Sequence, residues 1–198
     1  MTLKVDAKTR RATEAHHSGT HVLNAALKAV LGDHVKQSGS LVTPERFRFD
    51  FTHFSRIEED ELERIETLAN AYIRQNAEVQ TTVMEKDAAV RTGAAAVFDE
   101  KYGDSVRVVR MGDFSMELCG GTHVGRTGDI GALKVVGESA VAAGVRRIEA
   151  LTGAEAIAYF KRVEGELKKA ASLLRTNPLE LTERIEKMQK HQRDLERE

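Results

Sequence analysis

The sequence predicts an α+β fold, an antiparallel sheet packed with helices and followed by a helical extension. Three observations carry that expectation. Apolar residues recur at helical spacing in two N-terminal segments, short glycine-separated strand patterns crowd residues 106–151, and a seven-residue apolar period starts at Phe160. Helices and strands follow one another without a regular strand–helix–strand alternation, which favours an antiparallel over a parallel sheet.

Taken in order, the first periodic segment runs from about Thr13 to Leu31, with Val22, Leu23, Ala26, Leu27, Val30 and Leu31 on its apolar stripe and Gly32 as C-cap. V-K-Q-S-G-S-L-V follows, punctuated by Gly39 and the Thr43-Pro44 step. R-F-R-F-D-F then alternates apolar and polar residues as a half-buried strand does. Ser55 with Glu58 reads as a capping box opening a long amphipathic helix that contains Ile57, Leu62, Ile65, Leu68, Ala69, Tyr72 and Ile73. Val79 to Glu85 reads as a strand. An alanine-rich helix is expected from Lys86 to about Phe98, closed by a Gly103-Asp104 turn. V-R-V-V-R, S-M-E-L-C, I-G-A-L-K-V-V-G-E and V-R-R-I-E-A-L are the later strands. The pattern divides the chain into a domain over 1–153 and a helical extension over 154–198. In the extension Phe160, Leu167, Leu174, Leu181, Met188 and Leu195 recur every seven residues, and Asn177-Pro178 splits the period into two helices. That extension reads as a helical hairpin or as a coiled-coil arm capable of self-association. The R-D-L-E-R-E terminus carries no closing turn, which favours a piece of a longer chain.

The 198 residues include 30 basic and 31 acidic ones, for a formal net charge of -1. A global electrostatic argument for nucleic-acid binding is therefore excluded, and such a partner must be met locally. One cysteine forms no internal disulfide, which fits a reducing cytoplasm. With no apolar leader and no run of about 18 apolar residues, a soluble cytoplasmic protein without a membrane partner is expected.

His17 and His21 stand in H-S-G-T-H, and Cys119 and His123 in C-G-G-T-H. Both pairs have i, i+4 spacing, and the first lies on one face of the first helix. Imidazole and thiolate are the ligands zinc prefers, and two pairs supply the four corners of a tetrahedron. A metalloprotease reading fails because Ser18 stands where H-E-x-x-H requires its general base. Gly120 and Gly121 allow a tight loop that turns both flanking ligands inward and admits a substrate close to the backbone. Four protein ligands equally suit a closed zinc that only staples the helix to the sheet, because catalytic zinc usually keeps a position open. His16 is a neighbour of this site; His34, His53 and His191 are expected at the surface or in the core.

H-S-G-T-H, Q-S-G-S-L-V with R-F-R-F-D-F, E-K-Y-G-D-S-V-R-V-V-R, E-L-C-G-G-T-H-V and A-A-G-V-R-R-I-E-A occur in the order seen in the editing domain of alanyl-tRNA synthetase. The chain resembles that family, and its free-standing AlaX-type relatives, over roughly Val5 to Thr152. The resemblance implies the synthetase second-additional-domain type of editing fold, and hydrolysis of tRNA(Ala) mischarged with serine or glycine. It implies Zn2+ held by His17, His21, Cys119 and His123, Gln37 facing the aminoacyl ester, and Thr20 near the serine hydroxyl. Asp50 and Arg147 match family positions for substrate binding, or form an ion pair that buttresses the sheet. The implied partners are the acceptor end of tRNA(Ala) and the rest of the synthetase chain. The chain departs from the pattern at His16 and Gly19, where the family often has Asn and Ala, and at Asp99, where it often has Gly.

An ester on the terminal ribose is already activated, so its hydrolysis needs positioning, a water and oxyanion stabilisation, for which the N–H groups of Gly120 and Gly121 are candidates. Two other readings stay open: a free-standing trans-editing deacylase, and a non-catalytic tRNA- or protein-binding module with structural zinc.

Overall fold

The computed structural model describes residues 3–93 and 104–197. Among the described residues, two antiparallel sheets and five α-helices make up an α+β architecture. The chain separates into two compact units, Met1–Ala156 and Ile157–Glu198.

The first unit opens with α1 (Ala7–Leu31), two turns earlier than the apolar period indicated. Those two turns are polar and exposed, so no stripe marks them; the Asp6 side chain starts the helix by accepting the Thr9 N–H at 2.7 Å. Gly32 ends it at φ 113°, its N–H bonded to the Lys28 carbonyl at 2.9 Å. Next come β1 (Gln37–Val42), β2 (Phe47–Thr52) and α2 (Glu59–Arg74). The segment around Q-S-G-S-L-V carries no strand alternation, yet it pairs with β2 as an edge strand, with a register irregularity between Gln37 and Gly39. The cap of α2 sits three residues later than the Ser55 signal placed it. The Glu58 N–H donates to Glu61 Oε2 at 3.1 Å, while the Ser55 hydroxyl lies 3.3 Å from His53 Nε2.

β3 (Val79–Glu85), α3 (Lys86–Arg91), β4 (Ser105–Met111) and β5 (Ser115–Leu118) follow. The rest of the alanine-rich helix expected to Phe98 lies outside the described residues, as do Gly103 and Asp99. A 3-10 turn at Thr127–Ile130 delays the next strand, so β6 spans Leu133–Ala142 and pairs with β7 (Val145–Thr152). One sheet has the order β1-β2-β7-β6 and the other β3-β4-β5.

Phe47, Phe49 and Phe51 alternate onto one face of β2 and are fully buried with Val22, Leu23, Ala26 and Leu27 of α1 and Ile65 and Ala69 of α2. At roughly 1.5–3 kcal/mol per large apolar side chain, this layer seats α1 on the sheet. On the other sheet, Val106, Val108 and Leu118 turn into a small separate core with Ala89, while Val109 and Met111 join the main one. The alternation of β5 therefore directs Ser115 and Glu117 to the face opposite Met116 and Leu118.

The second unit contains most of α4 (Gly153–Leu173) and α5 (Leu181–Leu195). Asn177 caps a 3-10 turn at Pro178–Glu180 by accepting the Leu179 N–H at 3.0 Å, which breaks the helix where the Asn-Pro step indicated. Phe160, Leu167, Met188 and Leu195 remain between 41% and 58% exposed, so the seven-residue stripe is only partly covered among the described residues. No described helix is long and apolar enough to cross a membrane.

Candidate metal centre

α1 presents His17, His21 and Asn24 along one face, and the strand-to-loop transition after β5 presents Cys119 and His123 to them. One ligand atom from each of His17, His21, Cys119 and His123 lies within 4.8 Å of the other three. Cys119 Sγ is 3.4 Å from His17 Nε2 and 3.3 Å from His123 Nε2. Zinc–sulfur and zinc–nitrogen bonds of ordinary length, set tetrahedrally, place such atoms about 3.5 Å apart. His21 Nε2 is buried and has no hydrogen-bond partner among the described residues. A buried imidazole nitrogen without a partner is costly, and a metal ion in this cluster satisfies it. The donor set and its spacing fit a metal.

Each imidazole has its other nitrogen occupied. His17 Nδ1 lies 3.1 Å from the Thr122 carbonyl, His123 Nδ1 3.2 Å from Ser18 Oγ, and His21 Nδ1 2.8 Å from Glu117 Oε2. Such bonds select the tautomer that leaves Nε2 free as a ligand. Ser18, whose presence ruled out a protease, also accepts the Val124 N–H at 3.1 Å and so ties α1 to the end of the C-G-G-T-H loop. Glu117 is held in turn by Asn24 Nδ2 at 2.9 Å and the Ser115 hydroxyl at 3.3 Å.

The charges follow from these contacts. Burial opposes the Cys119 thiolate, but hydrogen bonds from His123 and His17 and the nearby charge of His21 outweigh it and bring the thiol down to about 3. Burial likewise opposes charge on His21, but Glu117 and Cys119 prevail and raise the imidazole to about 10. Glu117 is pushed up by burial, yet His21 and Asn24 hold it below the ordinary carboxylate range. His123 is lowered by burial, with the charges of His21 and His17 adding to the effect against the Cys119 hydrogen bond. A thiolate and three oriented imidazoles can hold a cation, which on binding takes the place of the proton on His21 Nε2.

Glu117 and Asn24 were not among the candidates read from the sequence. The alternation E-x-C puts Glu117 on the strand face that leads to Cys119, and Asn24 is one turn beyond His21, so both had a usable signal. Glu117→Gln keeps the shape and removes the charge that orients His21. It is expected to weaken metal binding about 10- to 100-fold, read by competition with a chromophoric chelator. An unchanged affinity would show that the carboxylate does not tune the site.

The two glycines differ. A Cβ on Gly121 would stand 2.0 Å from His17 Cε1, whereas one on Gly120 meets nothing within 4 Å. Gly121 is therefore required by its packing against His17, and exposed Gly120 faces open space.

The described contacts of Gln37, Asp50 and Arg147 do not reach the four ligands. Gln37 Nε2 donates to Ser40 Oγ at 3.1 Å. Arg147 binds Asp50 with two hydrogen bonds, at 2.7 and 2.9 Å, across the β2–β7 register, the arrangement expected of a buttress. The Thr20 hydroxyl donates back to the His17 carbonyl at 2.7 Å. His16 turns away from the ligands: its Nε2 accepts the Thr152 N–H at 3.1 Å. Gly19 makes room for the same residue, since a Cβ there would lie 2.9 Å from Thr152 Cγ2. Two of the three departures from the resembled pattern, His16 and Gly19, thus meet at one point of the α1–β7 packing. His34 Nε2 and His53 Nδ1 pair with each other at 2.9 Å, apart from the centre.

Comparison with known proteins gives this geometry a context. Residues 106–149 match the family described as threonyl and alanyl tRNA synthetase second additional domain. The chain is 55% identical over 195 residues to alanine–tRNA ligase of Methylococcus capsulatus (strain Bath), an alignment covering 98% of the chain and 22% of that ligase. It is 53% identical over 194 residues to the ligase of Shewanella loihica, with the same two coverages. With the ligase of Halorhodospira halophila the identity is 50% over all 198 residues, or 23% of the relative. The chain thus spans less than a quarter of the length of these relatives.

Proposed function

We propose, on the premise that the chain belongs to the alanine–tRNA ligase family as a segment carrying its second additional domain, that the four-residue centre holds zinc and serves hydrolytic editing of tRNA(Ala) mischarged with serine or glycine. The observation that carries the proposal is the convergence of three imidazoles and a thiolate beside an exposed glycine loop. When bound, zinc supplies a positive charge that orients or polarises the aminoacyl ester. Gln37 faces that ester, and N–H groups of the Gly120-Gly121 loop receive the oxyanion. Thr20 and Gln37 recognise the serine hydroxyl, and Asp50 with Arg147 orders the β2–β7 surface on which substrate binds.

The selectivity has an energetic reason. A synthetic site built for alanine admits the smaller glycine and rejects serine only weakly, so a second hydrolytic site is needed. Polar groups placed for serine's hydroxyl are left unpaired by alanine's methyl, which spares the correct product. The nearly balanced charge suits recognition of a single-stranded acceptor end more than extensive duplex contact. Residues 1–153 act as the editing portion of a cytoplasmic ligase. Residues 154–198 lead toward the rest of its chain, with the exposed apolar stripe available for self-association.

The test is deacylation of Ser-, Gly- and Ala-tRNA(Ala) by the zinc-loaded chain. Serine and glycine esters are expected to be hydrolysed and the alanine ester spared, with activity lost in Cys119→Ala and reduced in Gln37→Ala. Four protein ligands also favour a second reading, in which zinc only staples α1 to the loop after β5. That reading prevails if the folded, metal-loaded chain binds Ser-tRNA(Ala) and hydrolyses none of the three esters above background.

A further inference from the structure

One cation beside the centre is absorbed by neither the ligand set nor its supports. Arg107 lies on β4, and its own carbonyl accepts the Cys119 N–H at 3.0 Å. Its side chain returns to the same loop. Arg107 Nη1 donates to the Cys119 carbonyl at 3.0 Å and also to the Gly121 carbonyl, while Nη2 reaches Thr81 Oγ1 of β3 at 3.3 Å. One guanidinium thus holds two alternate peptide units of the C-G-G-T-H loop and is itself braced by the neighbouring strand. Two glycines give this loop its freedom, so such a clamp is what makes it a defined surface.

The orientation of those peptides has a consequence. In a planar trans peptide the C=O and the following N–H point in opposite directions, and the described residues contain no cis peptide. With the Cys119 carbonyl drawn to Arg107, the Gly120 N–H points away from it. That N–H has no hydrogen-bond partner among the described residues. Gly120 is exposed, with no heavy atom within 4 Å of the place its Cβ would take, and it directly follows a ligand. An unpaired backbone donor in open space beside a cation site is suited to an anionic oxygen. Without the clamp the Cys119–Gly120 peptide is free to rotate as a unit and turn its carbonyl toward the same space.

We infer that Arg107 is a positioning residue that locks the Cys119–Gly120 peptide so that the Gly120 N–H is offered to the oxyanion of the ester under attack. The inference rests on the editing function proposed above and narrows its loop donors to one oriented N–H. Arg107 touches neither metal nor substrate in this role; it acts through the peptide it holds.

The experiment combines an amide readout with kinetics, on the zinc-loaded chain and on its Arg107→Met and Arg107→Lys variants. The probe is the α-aminophosphonate monoester of adenosine bearing serine's side chain, whose tetrahedral P–O⁻ mimics the oxyanion. In nitrogen–proton correlation spectra the Gly120 amide is expected to shift on probe addition in the parent chain and not in Arg107→Met. Single-turnover hydrolysis of Ser-tRNA(Ala) is expected to slow about 10- to 100-fold in Arg107→Met. KM should stay within about threefold and metal content at one equivalent, and Arg107→Lys should recover part of the rate. An unmoved Gly120 amide in the parent chain overturns the inference. So does a full rate in Arg107→Met, or loss of its metal, which would make Arg107 a support for the ligands. A parent chain whose Gly120 amide responds to the probe, with the response lost in Arg107→Met, while Ser-tRNA(Ala) survives refutes the editing function and overturns the catalytic part of the inference, leaving Arg107 as the residue that orients an anion-binding N–H. Should Arg107→Met fail to fold, Arg107→Lys carries the same readouts, with a smaller loss expected.

Discussion

Gly121→Ala is expected to weaken metal binding about 100-fold, while Gly120→Ala leaves it nearly unchanged. The added methyl at 121 would sit 2.0 Å from His17 Cε1 and 2.5 Å from Nδ1, far inside van der Waals contact. Either the imidazole or the loop must retreat, and both carry ligands. If His17 swings away, it loses the Thr122 carbonyl that fixes its tautomer and removes its Nε2 from Cys119 Sγ. If the loop shifts, Cys119 and His123 move together and the grip of Arg107 on two carbonyls is broken. Overpacking of this kind also costs roughly 1–3 kcal/mol of stability. Isothermal titration with zinc, beside thermal melts in excess chelator, separates the two effects. Equal affinities for the two alanine variants would show that the loop relaxes freely and that its close approach to His17 is incidental.

The contrast between the glycines marks the boundary of what the residue pattern disclosed. The ligands were legible because each pair is local: a helix places His17 and His21 on one face whatever else the chain does, and C-x-x-x-H keeps Cys119 near His123. Everything that orients those ligands is non-local. Ser18 reaches Val124, Glu117 reaches His21, and Arg107 closes on a loop 12 to 14 residues ahead of it. The roles of Ser18 and Arg107 come from the approach of α1 to the loop after β5 and from the pairing of β4 with β5, which no spacing encodes. The E-x-C alternation gives the face of Glu117 but not its partner. The fold divides the same way. β2 and β7 announce themselves by alternating apolar residues because one face is buried. β1 is an edge strand with several exposed positions, so burial does not select its residues and no pattern appears. The first turns of α1 are silent for the same reason, and Ser55 was misleading because its hydroxyl is engaged by His53 rather than by a helix end.

The largest effect on stability is expected at His21, and it shows in the metal-free chain. Without metal, His21 and Glu117 form a buried pair at 2.8 Å, with side chains 7% and 5% exposed. His17 is half-buried and, among the described residues, has only the Thr122 carbonyl as its polar support outside the ligand cluster. His21→Leu leaves the buried Glu117 carboxylate without its paired charge, with hydrogen bonds from Asn24 and Ser115 and the field of Lys28 as its remaining support, which costs about 3–5 kcal/mol. His17→Leu removes no counter-charge from a buried group and should cost roughly 1 kcal/mol. Denaturant unfolding in excess chelator measures both, and a double-mutant cycle isolates the pair. His21→Leu with Glu117→Leu is expected to recover most of the loss, since an apolar pair of similar volume is often neutral in place of a buried ion pair. Equal losses at His17 and His21, with no recovery in the double variant, would remove the electrostatic account of Glu117. Each single variant deletes one imidazole from the same centre, so a difference in metal-free stability comes from what stands behind the imidazole. Behind His21 that is a carboxylate which β5 cannot turn out to solvent, because its alternation directs Glu117 onto α1.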